Sequence, residues 1–305
     1  MTHKDESAEP FRSGFVPVVG RPNVGKSTLL NRILGEKVAI VSDKPQTTRN
    51  KICGVLTGPA HQIVFLDTPG IHRARDAINR YMVNVALSTF DEADLILFLV
   101  EPDPDFGKGD QYLHGLLKDL RVPVFALVNK MDRVPAPQWD AVVERLRGRI
   151  PGMEVFPISA LTGEGVPELV DEVVRRLPEG PLYFPPDQAT DQPVRLLSAE
   201  IVREKVFQLT GEEVPYSVAV EIDSFEEREG KERSLVSIDA TIHVERDSQK
   251  GILIGKGGQM LKRIGTMARR EIEALVGAQV FLRLWVKVSK GWKNDPKSLR
   301  RFGYR

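Results

Sequence analysis

Largely apolar runs recur through the first half of the chain, at residues 15–19, 62–66, 93–100, 122–128 and 154–158. Each is short enough for a strand and, apart from Gln62, Asp94 and Glu154, apolar at consecutive positions, the pattern of a strand covered on both faces. Between them lie stretches with helical spacing, at 78–90, 109–120 and 139–149, and a further one that stops at Gly35. Strands alternating with helices predict an α/β domain with a mostly parallel sheet and helices on both faces. Pro17 conflicts with this pattern, because it sits in the first strand and proline cannot donate to a ladder. A bulge or a locally missing hydrogen bond is expected there, whereas Pro123 falls at the start of its strand.

The pattern changes after a stretch containing Pro181, Pro185, Pro186 and Pro193, which reads as a semi-rigid connector. Residues 197–209 are helical in spacing, with Val202, Val206 and Leu209 along one face. Residues 216–222 and 235–244 alternate polar and apolar, as half-buried strands do, and the charged stretch 226–233 between them, with Gly230, suits a hairpin loop. A Gly-rich segment, a helix at 259–276 and a last strand at 280–288 complete an α+β unit. The expected organisation is a disordered lead-in at 1–13, an α/β domain at 14–180, a linker at 181–193 and a second domain at 194–305 with a basic tail.

A length of 305 residues suits two domains, and 41% apolar with 28% charged residues is ordinary for a globular protein. No apolar run is long enough to span a bilayer. The polar N-terminus lacks the apolar core of a signal peptide. Cys53 is the only cysteine, which excludes an internal disulfide and a cysteine metal cluster and fits a cytoplasmic protein. The net charge of +1 conceals an asymmetry: residues 251–305 carry 13 Lys/Arg against 3 Asp/Glu, leaving −9 on residues 1–250. A basic end on an acidic body suggests a polyanionic partner, although an ordinary solvated surface has the same charge.

The chemistry begins at GRPNVGKS, between the first strand and the first helix. That context makes G-x-x-x-x-G-K-[ST] a phosphate-binding loop, built from Gly20, Arg21, Pro22, Asn23, Val24, Gly25, Lys26, Ser27 and Thr28. Lys26 is the expected partner of the β- and γ-phosphates, and Ser27 a Mg²⁺ ligand. The polar stretch 36–50 holds Thr47 and Thr48. Thr48 is the first choice for a switch hydroxyl on the metal, and Thr47 the second. Asp67, Thr68, Pro69 and Gly70 follow a strand, so Asp67 can hold Mg²⁺ through water and Gly70 can turn its amide to the γ-phosphate. Asn129, Lys130, Met131 and Asp132 follow another strand, and Ser159, Ala160 and Leu161 a third. All fall at carboxyl ends of strands, where open α/β sheets bind ligands. The carboxylate of Asp132 can accept both guanine donors, the ring N1–H and the 2-amino group, which adenine does not offer as a pair. Lys130 can cover the base plane, Asn129 can tie base and phosphate loops together, and the Ala160 amide is placed for the guanine O6. These strings together point to a GTP site.

Hydrolysis needs a positioned water. Ile71, directly after Gly70, cannot orient one, so slow intrinsic hydrolysis is expected, with Lys26, Thr48, Gly70 and Asn23 as the catalytic candidates. Asn23 offers a side-chain oxygen to a monovalent cation such as K⁺ between the phosphates; the alternative is an asparagine that only caps the turn. A protein that holds GTP with little turnover and acts by binding RNA is the second reading.

Near the C-terminus, Gly255, Lys256, Gly257 and Gly258 form a GXXG loop between two helices, as in KH domains that grip single-stranded nucleic acid. Ile252 and Ile254 would line the groove, with Lys262 and Arg263 adding charge. His61, His72, His114 and His243 show no metal-ligand spacing. Trp139 suits helix packing, and Trp285 and Trp292 suit core or rim, with Trp292 also placed among basic residues.

The strings GRPNVGKSTLLN, KPQTTRN, DTPGIH, NKMD, SAL and IGKGG, with VPYSV, LWVKV and the closing LRRFGYR, resemble the bacterial Era GTPases from residue 15 onward. The resemblance implies a P-loop GTPase domain followed by a type II KH domain, with Mg²⁺ as cofactor. It also implies a cytoplasmic monomer that binds GTP and GDP, recognises 16S ribosomal RNA near its 3′ end and assists assembly of the 30S subunit. Peripheral association with the inner membrane is a further implication. A GTPase regulating tRNA modification is disfavoured by the KH motif.

Overall fold

A computed structural model describes residues 10–71, 76–103, 105–228 and 234–304. His72, most of the charged hairpin stretch and Arg305 lie outside the described residues, as do residues 1–9 of the lead-in. The chain divides into two compact units. One comprises residues 1–38, 51–71 and 85–191; the other comprises residues 39–50, 72–84 and 192–305.

The first unit is built on a six-stranded sheet in the order β2-β3-β1-β4-β5-β6. Its strands are β1 (Arg12–Gly20), β2 (Ile52–Gly58), β3 (His61–Asp67), β4 (Ile96–Val100), β5 (Val124–Val128) and β6 (Glu154–Pro157). Only β2 runs antiparallel, along β3. This edge strand was not expected from the pattern, because Gly54 interrupts its short apolar stretch. The strand β1 opens at Arg12, two residues inside the polar lead-in. Pro17 pairs with Leu66 in unbroken register, so there is no bulge, and pairing with β4 begins only at Val18. The missing donor therefore sits before the second ladder starts.

Among the described residues, four α-helices lie wholly within this unit: α1 (Lys26–Leu34), α3 (Lys108–Leu117), α4 (Trp139–Arg149) and α5 (Val166–Arg176). Ile96, Phe98, Val100, Ala126 and Val128 share one core with Leu113, Leu117, Val143 and Leu146. The alternate residues Leu97 and Leu99 are equally buried, which explains why these strands read as continuous apolar runs. The proline-rich segment does not hang free. Its residues bond along the sheet, Ala189 O accepting from Val55 N at 2.8 Å and Thr190 Oγ1 donating to Cys53 O at 2.6 Å.

The second unit carries a three-stranded sheet, β7 (Ala219–Arg228), β8 (Leu235–Val244) and β9 (Gln279–Val288). β7 and β8 are antiparallel, and β8 and β9 are parallel. The helices α6 (Val194–Leu209) and α8 (Gln259–Val276) cover one face, where Val202, Val206, Ile238, Ala240, Ile242, Ile264, Ala268 and Ile272 form a dry core. The opposite face is covered at Ala219 and His243 by the C-terminal residues, but Phe281 is 54% and Trp285 47% exposed, so Trp285 is a rim residue. Trp292, by contrast, is fully buried, which removes it from any RNA contact. Short α7 (Asp247–Ile254) leads into the Gly-rich loop, and α9 (Pro296–Arg301) closes the chain. The helix α2 (Ala77–Ser88) begins in this unit.

Candidate nucleotide and nucleic-acid sites

The phosphate loop turns from β1 into α1 through Gly25, whose φ of 102° is open to glycine. A Cβ there would stand 2.2 Å from Asn129 Nδ2, so both conformation and space require glycine. Asn23 is also left-handed, at φ 66°, a conformation asparagine tolerates. Lys26 is buried at the start of α1, and its ammonium donates to Gly20 O at 3.2 Å and Arg21 O at 3.0 Å. Burial pulls its pKa down to about 8, against the opposing pull of Asp67. Two of the ammonium's donors are thus given to carbonyls of the loop itself.

Ser27 Oγ donates to Asp67 Oδ2 at 2.6 Å, and Asp67 is wholly buried at the end of β3. A hydroxyl and a carboxylate from two separate motifs thus converge. Gly70 packs on the loop, since a Cβ there would stand 2.6 Å from Pro22 N. Thr68 Oγ1 donates to Val18 O at 2.8 Å, which pins the turn to β1 instead of facing a ligand. The side chains of Val24, Ile71 and Met131 are buried, the last two in one apolar core, so only their main chains could face a ligand.

The base end is tied to the phosphate end through Asn129. Its Nδ2 donates to Val24 O at 2.7 Å, and its Oδ1 accepts from Ala160 N at 2.8 Å. The Ala160 amide, expected at the guanine O6, is therefore given to Asn129. Ser159 Oγ donates to Asp132 Oδ1 at 2.6 Å, which orients the carboxylate. Lys130, left-handed at φ 67°, donates to Asn23 O at 2.7 Å and pairs with Glu101. Leu161 is exposed at the end of this loop.

Three bracing residues were missed from sequence. Arg21 Nε donates to Asp110 at 2.8 Å, and burial holds the Asp110 carboxyl above its usual range despite that partner. Arg32 from α1 donates to the carbonyls of Ala160 and Leu161. Glu101 follows β4 at the same carboxyl end as the motifs, so its position was a usable signal. Asp110 and Arg32 gave none, being ordinary helix-surface residue types.

Thr47 and Thr48 belong to the second unit, where both are buried. In the same unit, Gly255, Gly257 and Gly258 take positive φ angles and carry the chain from α7 into α8. Lys256, Lys262, Arg263 and Ile252 are exposed around that turn, and Ile254 is half-buried beside it. The turn stands at the N-terminus of an 18-residue helix, an end that favours anions.

Residues 15–130 match a family described as 50S ribosome-binding GTPase, and residues 213–293 match the KH domain. The GTPase Era of Geobacter metallireducens is 57% identical over 301 residues, covering 98% of this chain and 99% of that relative. That of another Geobacter species is 55% identical over 298 residues, with 98% and 99% covered. A solved Era structure, in complex with MgGDPNP and nucleotides 1506–1542 of 16S ribosomal RNA, superposes with a TM-score of 0.93 at 43% identity, covering 96% of this chain and 99% of that one. An Aquifex aeolicus Era variant bound to GDP and tetrafluoroaluminate superposes equally well, with the same identity and coverage. The likeness runs through both compact units, and the chain belongs to the Era family of GTPases.

Proposed function

We propose that this GTPase is a slow switch that binds 16S ribosomal RNA through its GXXG loop and acts in assembly of the 30S subunit. The observation that carries the nucleotide half is Asn129, whose one amide bonds the phosphate loop and the base loop together. The Era complex with MgGDPNP and a 16S fragment supports the RNA half.

Ser27 and Asp67 supply hard oxygen donors of the kind Mg²⁺ takes, and they already meet in one place. They would hold the ion, and the ion would neutralise charge on the β- and γ-phosphates. Lys26 exchanges its two carbonyl partners for phosphate oxygens. Gly70 offers its amide to the γ-phosphate. Asp132 accepts from guanine while Ser159 holds it in place. Asn23 stands exposed at the loop, where its side-chain oxygen would be a ligand for K⁺. Nucleotide state would govern RNA binding through the segments around Thr48 and Ile71.

The buried Ile71 side chain favours a second reading, an assembly factor that holds GTP with little turnover. Single-turnover hydrolysis with and without small-subunit RNA separates the two. Stimulation by RNA supports the switch, and an unchanged near-zero rate supports the second reading. Loss of RNA binding in Lys256→Glu, with GTP affinity intact, tests the GXXG site. The family reading extends to a cytoplasmic monomer with peripheral contact to the inner membrane. No described helix is long and apolar enough to cross a membrane. Light scattering and vesicle flotation test these last two points.

A further inference from the structure

Successive residues of the phosphate loop are held from different directions. Gly20 pairs with Leu99 of β4, and a Cβ on it would stand 2.6 Å from Leu99 O. Gly70 abuts Pro22, Lys130 donates to Asn23 O, and Asn129 donates to Val24 O. These anchors come from the sheet or from the strings that point to a nucleotide. Arg21 is held from elsewhere. Its side chain reaches α3, where Nε lies 2.8 Å from each oxygen of the Asp110 carboxylate.

The first turn of α3 is shaped to receive it. A Cβ on Gly109 would stand 2.6 Å from Arg21 Cδ, so any larger residue there would push the side chain aside. The Asp110 side chain is 2% exposed and that of Arg21 29%. A carboxylate so deeply buried needs a cationic partner. Just before α3, Phe106 takes φ 36°, a costly conformation for a bulky residue. Gln111 Nε2 donates to the Phe106 carbonyl at 3.0 Å, and Asp110 N donates to Gly107 O at 2.9 Å. Such strain persists where surrounding contacts over-determine the turn. The main chain of Arg21 faces the other way. Its carbonyl accepts from the Lys26 ammonium at 3.0 Å, beside Gly20 O at 3.2 Å. Arg21 therefore joins Asp110, through its side chain, to Lys26, through its carbonyl.

We propose that Asp110, acting through Arg21, is a positioning residue for phosphate binding: it fixes the Arg21 carbonyl and so places the Lys26 ammonium before a nucleotide arrives. The proposal rests on the reading of Lys26 as the partner of the β- and γ-phosphates. Without Asp110 the Arg21 side chain turns to water and the loop gains other conformations. Part of the binding energy must then restore the productive one. The loss falls on nucleotides whose phosphates reach Lys26. GMP, whose single phosphate stops short of it, escapes.

The test uses the full-length protein with Mg²⁺. In Asp110→Ala the affinities for GTP and GDP are expected to fall about tenfold, the scale of one hydrogen bond to a charged group. GMP, measured by competition with a fluorescent GDP analogue, should bind as it does to the wild type. A purely structural role would instead weaken all three nucleotides together with the melting midpoint. Arg21→Ala should reproduce the defect, and the double variant should bind GDP no more weakly than the weaker single variant. Should Asp110→Ala melt early, Asp110→Asn, which fills the same space and removes the charge, carries the same test. Wild-type affinities for GTP and GDP in a folded variant, an equal loss for GMP, or additive losses in the double variant overturn the proposal. Failure of the wild-type protein to bind GTP would instead overturn the nucleotide-site reading.

Discussion

The substitution Asn129→Asp changes one group in a buried place and preserves its shape. In the native site Nδ2 donates to Val24 O at 2.7 Å while Oδ1 accepts from Ala160 N at 2.8 Å. The second bond survives the change. The first is inverted, because a carboxylate oxygen now faces a carbonyl oxygen. Leaving that buried carbonyl unmatched costs about 1–3 kcal/mol, and desolvating the new charge adds to it. A total of roughly 2–4 kcal/mol corresponds to a loss of GTP affinity between about 30-fold and several hundred-fold if it falls wholly on binding. The tie exists without nucleotide, so part of the loss should appear as a lower melting midpoint of the empty protein. The pH dependence discriminates. The introduced carboxyl has a folded pKa above its unfolded value, since both burial and the facing carbonyl oppose its charge. Once protonated it can donate to Val24 O and restore the missing bond. The penalty is therefore complete above the folded pKa and shrinks as pH falls through it. Calorimetric titration with GTP and thermal melting, each at mildly acid and mildly alkaline pH, measure this. Wild-type affinity at alkaline pH, or a defect that does not ease on acidification, would refute the role assigned to Asn129.

Three further outcomes follow from the same site. Lys26 titrates at about 8 when no phosphate is present, below its unfolded value. The empty protein therefore gains stability as pH rises from there towards the ordinary lysine range, and GTP binding in that window takes up a proton. Affinity should fall by about tenfold per pH unit above that point, and a flat affinity in filter-binding measurements would contradict it. Asp132→Asn should weaken GTP and favour xanthosine triphosphate in competition assays, because the guanine donors lose their acceptor; retained GTP affinity would mean the base pocket is misassigned. Hydrolysis should run faster in potassium than in sodium buffer if Asn23 helps hold a cation, and equal rates remove that idea.

Much of this was legible in one dimension because its causes are local. A strand buried on both faces must be apolar at every position, which is why residues 96–100 and 124–128 could be found by eye. A loop whose amides must converge on phosphate needs Gly25, and the turn between α7 and α8 needs Gly257 and Gly258. The helix Trp139–Arg149 and the strand Leu235–Val244 have the ends their periodicity suggested. The edge strand Ile52–Gly58 escaped because Gly54 breaks its short apolar stretch.

Folding alone decided how the remaining polar groups are spent. A polar side chain carries no mark of its partner, since a hydrogen bond depends on what another part of the chain brings near. Nothing local distinguishes Asp110 from a solvated helix carboxylate until Arg21 arrives beside it. The Ala160 amide looked free for a base until Asn129 claimed it. Arg49 reads as one more charge in a polar loop, and only the returning tail, more than two hundred residues later, brings Trp292 and Tyr304 against it. Backbone demands are written where they act, whereas side-chain partnerships across the fold exist only once distant segments meet.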